Sequence, residues 1–316
     1  MGIPTVRDRV VQTALKMVIE PIFEHEFHNS SFGYRPGRGA KDALRRVDKQ
    51  LKTGSVFVVD ADIRSYFDTI DHVRLKQLIC HKIGDGKLLD LLELFLKQEV
   101  EGEGKTIQGT PQGSVLSPLL ANIYLDEFDH RAEAGGFHLT RYADDLVILC
   151  QSREEAERAL EFIKRWMAHI GLELNLDKTS IVDMREAGNY FDFLGYRFKR
   201  TGRGRIIRLP RDKAIKAMRD KIRSYTRRTN GQSLRVIILK LNPILRGWYE
   251  YFKQSHGRAL QQQDSFIRFR LRRILRKRHK LNGFGGKSDN IKWPNAYFQN
   301  LGLFCLYSTQ AREFHV

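Results

Sequence analysis

The chain has 316 residues, 41% hydrophobic and 29% charged, with a formal charge of +18. That is enough apolar mass for one large core or two modest ones. No run reaches the roughly 18 apolar residues of a membrane helix, the first nine residues lack the apolar centre of a secretory signal, and Cys80, Cys150 and Cys305 are far apart and form no C-x-x-C pair, so a bilayer protein, a disulfide scaffold and a zinc site are all disfavoured.

From Val6 to Phe23 apolar residues fall in pairs every four positions, which predicts an amphipathic helix. Ser30 to Gly39 is punctuated by Gly33, Pro36, Gly37 and Gly39 and reads as a loop, with Arg35 and Arg38 available to phosphate. Ala40 to Leu51 is helical again. Val56 to Ile63 opens as a β-branched and aromatic run of buried-strand character, and then places Asp60 and Asp62 at its end. Leu75 to Val100 is a helical stretch broken at Gly84 to Gly86, Gly109 to Gly113 is a turn, and Pro118 to Phe128 returns to helical period. Phe137 to Arg141 and Leu146 to Cys150 are strand-like and flank Tyr142, Ala143, Asp144 and Asp145, a hairpin with acids at its tip. Glu154 to Ile170 reads as a helix and Leu172 to Leu176 as a short strand. Beyond Pro210 the pattern is helical throughout, with three apolar stripes around Ile215 to Tyr225, Leu241 to Phe252 and Ile267 to Leu275.

The fold class expected is α+β: a mixed sheet with packed helices over residues 1–196, then a small helical bundle over 197–316. Charge divides at the same place. Arg197 to Lys280 carries 27 Lys or Arg and four acids, while the remainder carries 28 bases and 33 acids. Segregation over that length, with Trp248, Tyr249, Tyr251, Phe252, Phe266 and Phe269 interleaved, points to nucleic acid as partner.

Asp144 and Asp145 taken alone suggest only a turn, where Asp is common. Asp62, ending another buried strand, changes that reading, because three hard carboxylates suit Mg²⁺, and such a cluster is what two-metal phosphoryl transfer requires. His25, Glu26 and His28 lack the H-E-x-x-H register, and the Gly-Lys-Ser at 286–288 follows Leu281 where a phosphate loop needs Gly.

In order along the chain stand GIPTVRDRVVQ, SSFGYRPGRGAKDAL, VVDADIRSYFDTIDH, GTPQGSVLSPLLANIYL, RYADDLVIL, LELNLDKT, FLGYRF and LNPILRGWYEYF. Eight blocks in one order resemble the reverse transcriptase, or maturase, encoded by group II introns. The resemblance implies a right-hand polymerase palm with partial fingers over 1–196 and an all-α thumb, the three-helix maturase domain X, over 197–316. It also implies two Mg²⁺ ions, with Mn²⁺ as a substitute, on Asp62, Asp144 and Asp145. Phe67 matches the aromatic that excludes a 2′-hydroxyl, Gln112 and Gly113 the turn against the nascent base pair, and Lys178 the lysine facing the departing pyrophosphate. Tyr142 matches the tyrosine near the primer end, and Phe193, Leu194 and Gly195 the hairpin that seats it. Arg246, Gly247 and Trp248 belong to the thumb signature.

The expected activity is RNA-directed DNA synthesis together with assistance to intron splicing. The alternative is an RNA-binding maturase with weak or no polymerase activity. Partners implied are intron RNA, an RNA template with DNA primer, and dNTPs, in an intracellular ribonucleoprotein with no membrane. Arg35, Arg38, Arg246, Arg268, Arg272 and Arg273 are the candidate RNA contacts. Family members usually begin upstream of the Gly-Ile-Pro that follows Met1, so the fingers are expected to be incomplete, and no His-Asn-His endonuclease motif follows the thumb.

Overall fold

The computed structural model describes residues 4–97, 108–111, 113–282 and 285–314. Two compact units are present, 1–194 and 195–316. In the first, helices α1 (Val6–Glu24) and α2 (Ala40–Lys52) precede strand β1 (Phe57–Asp62), and three helices follow, α3 (Tyr66–Thr69), α4 (His72–Cys80) and α5 (Gly86–Leu96). Helix α6 (Ser117–Ala134) leads into β2 (His138–Tyr142) and β3 (Asp145–Cys150), then α7 (Arg153–His169), β4 (Ser180–Asp183) and β5 (Tyr190–Phe193).

The helix starts follow from local chemistry. Thr5, Asp71, Asp85 and Ser152 each turn a side-chain oxygen back to an orphan backbone N–H in the first turn of α1, α4, α5 and α7. Helix α6 instead starts with Pro118 in its first turn, where a missing N–H costs nothing.

Four strands form one antiparallel sheet in the order β2-β3-β1-β4. The interior strands are the most apolar. Leu146 to Cys150 of β3 are wholly buried, as are Val58, Val59 and Ala61 of β1, and each fully buried aliphatic side chain contributes about 1.5–3 kcal/mol. Ile163 and Met167 of α7, Leu120 and Phe128 of α6, and Ile19 of α1 complete this core. The expected strand at 172–176 is reduced to an isolated bridge between Ile63 and Leu174, because β4 takes the pairing edge of β1 a few residues later.

The second unit opens with a hairpin, β6 (Tyr196–Arg200) and β7 (Ile206–Pro210), so it is not purely helical. Helices α8 (Asp212–Tyr225), α9 (Leu234–Phe252) and α10 (Gly257–Arg278) carry the three apolar stripes, and three shorter helices follow, α11 (Lys287–Lys292), α12 (Asn295–Asn300) and α13 (Leu306–Phe314). Ile222, Ile238, Leu241, Leu245, Leu260, Ile267, Leu271 and Phe298 form a core of their own. The later helices close over α10, whose Asp264 accepts the backbone N–H groups of Leu306 and Tyr307 at 2.9 and 3.0 Å.

Candidate active site

Strands β1 and β3 run antiparallel with Asp62 directly opposite Asp145, and β2 and β3 with Tyr142 opposite Asp145. Cross-strand partners of this kind have Cα atoms about 4.5–5.5 Å apart. Ala143 and Asp144 are therefore the two-residue loop of a tight hairpin, and all three acids lie at one end of the two interior strands. The pairing runs without a break from Phe57 opposite Cys150 to Asp62 opposite Asp145.

Asp62 accepts a 2.7 Å hydrogen bond from Lys178 Nζ and a longer one, 3.4 Å, from Asn175 Nδ2. The ion pair raises the pKa of Lys178 above the usual lysine value. Burial first, and the nearby Asp62 charge among lesser causes, pushes the Asp144 carboxyl up. Asp145 Oδ2 accepts the backbone N–H of Leu194 at 3.4 Å. Among the described residues no group of three or more His, Cys, Asp or Glu side chains is drawn together tightly enough to hold a metal ion. The donor chemistry nevertheless fits a divalent cation: three hard carboxylates share one sheet end, and an ammonium stands in as the positive charge on Asp62.

Phe67 packs on the core beside this end, with its ring 6.4 Å from Tyr34, which lies 6.2 Å from Tyr142. Tyr34 was not singled out by the sequence. It sits in the Gly-rich loop at φ +59°, half exposed, and its hydroxyl pKa is raised by burial and by Asp144. The loop holds two aromatics, Phe32 and Tyr34, and only the fold shows that Phe32 is buried while Tyr34 is exposed. Gly113 has φ +93°, a conformation that disfavours any Cβ; Gln112 lies outside the described residues. Gly195 is the first residue of the second unit.

The arginines divide sharply. Arg35, expected to be open to phosphate, is buried and spent on Glu24 at 2.8 Å and on the His28 and Ser31 carbonyls at 2.7 and 3.0 Å. Arg272 is likewise buried, bonded to the Trp293 carbonyl and Asn295 Oδ1, both at 3.0 Å. Both are struts, because a guanidinium in a closed site must spend its donors on protein acceptors. Arg38 is held by Asn29, and Arg246 lies over the Phe304 ring, 4.7 Å from its centroid. Trp248 packs on Phe252 at 4.7 Å inside the helical unit. Arg268 and Arg273 line a cavity of about 880 Å³ together with Arg228, Lys277 and Phe269, and Phe269 is half exposed beneath Arg273.

Residues 1–198 match the family described as Reverse transcriptase (RNA-dependent DNA polymerase), and residues 215–292 match Group II intron, maturase-specific domain. This chain belongs to the group II intron reverse transcriptase and maturase family. Protein YkfC of Escherichia coli K12 is 33% identical over 267 residues, 68% of each chain. Group II intron-encoded protein LtrA of Lactococcus lactis is 45% identical over 132 residues, 41% of this chain and 22% of its own length. The chain thus spans about two thirds of one such relative and under a quarter of the other. A solved telomerase from Candida albicans, in complex with a fragment of telomeric RNA, aligns with 90% of this chain and 56% of its own at 13% identity, with a TM-score of 0.47. The family uses divalent metal ions, and its maturase members bind RNA.

Proposed function

We propose that this group II intron protein is an RNA-directed DNA polymerase, extending a primer 3′ end with dNTPs on an intron RNA template, and that its basic helical unit holds intron RNA and assists its folding and splicing. The observation that carries this reading is the register of Asp62 against Asp145, with Asp144 in the adjoining turn. Asp62, Asp144 and Asp145 would hold two Mg²⁺ ions, or Mn²⁺ in their place. When bound, the ions supply activation of the primer 3′ oxygen and neutralisation of the charge that builds on the transferred phosphoryl group.

The chain's own residues do the rest. With a cation on Asp62, the Lys178 ammonium would be available to the pyrophosphate leaving group as a positive neighbour or proton donor. Phe67 sets a wall against a 2′-hydroxyl, while Tyr34 and Tyr142 offer ring faces to the primer end. Gln112 and Gly113 are assigned to the turn against the nascent pair, and Gly195 to the primer seat. Arg268 and Arg273, with Arg38 and Arg246, are assigned to phosphates of RNA. The working location is an intracellular ribonucleoprotein with the intron.

A second reading, a splicing cofactor with little polymerase activity, draws support from the Lys178 contact on Asp62. Primer extension by the full chain over an RNA template with dNTPs and Mg²⁺ separates the two. Asp144→Asn is expected to abolish extension while RNA affinity stays within about twofold. Extension that survives the substitution would overturn the site assignment.

A further inference from the structure

Beneath the hairpin tip lies a buried ion pair with no counterpart among the residues assigned above. The side chains of Arg141 and Asp129 are 1% and 0% exposed. Arg141 Nε donates to Asp129 Oδ1 at 2.8 Å and Nη2 to Oδ2 at 2.5 Å. Its donors also reach Asn122, on the same helix as Asp129, and two further stretches of chain. Nη2 also donates to Ser31 Oγ at 2.8 Å, and Nη1 to Asn122 Oδ1 and to the Ala143 carbonyl, both at 3.1 Å.

Ala143 is the residue of the turn that needs holding. It stands at φ +57°, where a Cβ is disfavoured and a two-residue hairpin ordinarily has Gly, Asn or Asp. Its other side is closed by Gly33, where an added Cβ would come within 2.5 Å of Ala143 N. The Gly33 carbonyl in turn accepts Asn122 Nδ2 at 2.8 Å. The guanidinium, Asn122 and Gly33 thus grip the turn from both sides, and the acids next in sequence inherit its orientation. A buried ion pair is a poor device for stability alone, since apolar side chains of similar volume usually serve as well. What a planar five-donor fork adds is direction.

We propose that Arg141, anchored by Asp129 and relayed through Asn122 and Gly33, is a positioning residue that sets the Ala143 turn and so aims the Asp144 and Asp145 carboxylates at a shared cation. The proposal rests on the metal-site reading above. Lysine at 141 keeps the charge but cannot reach Asp129, Asn122, Ser31 and the Ala143 carbonyl together.

The test measures Mn²⁺ binding by electron paramagnetic resonance, and primer extension, in full-length wild type, Arg141→Lys and Asn122→Ser, with Asp144→Asn marking loss of the site. For Arg141→Lys the half-saturating Mn²⁺ concentration is expected to rise at least fivefold and kcat to fall at least tenfold. The dNTP KM should stay within twofold and the melt should remain cooperative. Asn122→Ser should move both readouts the same way by less, and it decides alone if Arg141→Lys does not melt cooperatively. Folded variants with wild-type Mn²⁺ affinity and kcat overturn the positioning role and leave the metal reading standing. Wild type that binds Mn²⁺ without extending primer removes the polymerase reading, while the affinity comparison still judges Arg141. Wild type that binds no Mn²⁺ overturns both.

Discussion

Asp126 shows how burial, ahead of its neighbours' charges, tunes a carboxyl in this protein. It lies on α6, accepts the His28 backbone N–H at 3.2 Å and faces His130 at 3.6 Å, and burial pushes its pKa up to about 6. The folded chain therefore holds this proton more tightly than the unfolded chain does. Between about pH 4 and pH 6 the native state binds more protons, so stability falls as pH rises through that window. Asp126→Asn removes the ionisation and keeps an acceptor for His28. The variant is expected to gain about 1–3 kcal/mol over wild type at pH 8, with the difference vanishing toward pH 4. Urea unfolding at both pH values checks it, and a pH-independent difference would contradict it. At the same scale, the acids of the candidate site were legible because Asp62, Asp144 and Asp145 interrupt strongly apolar runs. Arg141 and Tyr34 were not. Arg141 ends a strand-like run with no acid beside it in sequence, and only the fold shows that Asp129, twelve residues away on α6, neutralises it in the core.

Among elements, the sheet explains why the site acids sit where they do. Interior strands β1 and β3 have apolar side chains on both faces, while β4 is an edge strand whose side chains are mostly half exposed. Such a difference in burial becomes a difference in local opening. Native-state hydrogen exchange should show β3 amides at least 100-fold more protected than those of Ser180 to Asp183, and equal protection would contradict the layout. Lys178 stands just ahead of the weaker edge. Helices α1, α2, α7 and α8 were readable to within about three residues from their apolar period, whereas α6 runs past the Phe128 end read from the sequence and α9 and α10 begin well before the Leu241 and Ile267 where their stripes were read. The stretch at 172–176 was misread as a strand because Leu172 and Leu174 alternate like strand residues, yet only Leu174 finds a partner. Helices α11 to α13 fall in the stretch read as helical but carry no stripe that marks them as separate elements, because they are short, and their packing on α10 is fixed by contacts such as Asp264 to Leu306 rather than by period.

Over the whole molecule, charge is segregated by unit, and the structure sorts which cations are free to act. Of the arginines on α10, Arg270 is spent on Thr226, Arg272 on Trp293 and Asn295, and Arg276 on Asp289. Arg268 and Arg273 line the open cavity with Arg228 and Lys277. Replacing Arg268 and Arg273 by Gln should weaken intron RNA binding and reduce the slope of log affinity against log salt by about one to two. Arg272→Gln should instead lower thermal stability. A salt slope unchanged in the double variant would remove this face from the RNA contact.

Fe²⁺-directed hydroxyl-radical cleavage of the full chain reads directly whether β1 and the 143–144 turn share a cation. Backbone cuts are expected near both Asp62 and the 144–145 turn, competed away by Mg²⁺ and absent in Asp62→Asn and Asp144→Asn. Cuts at only one of the two places, or cuts that Mg²⁺ does not suppress, would contradict the shared site.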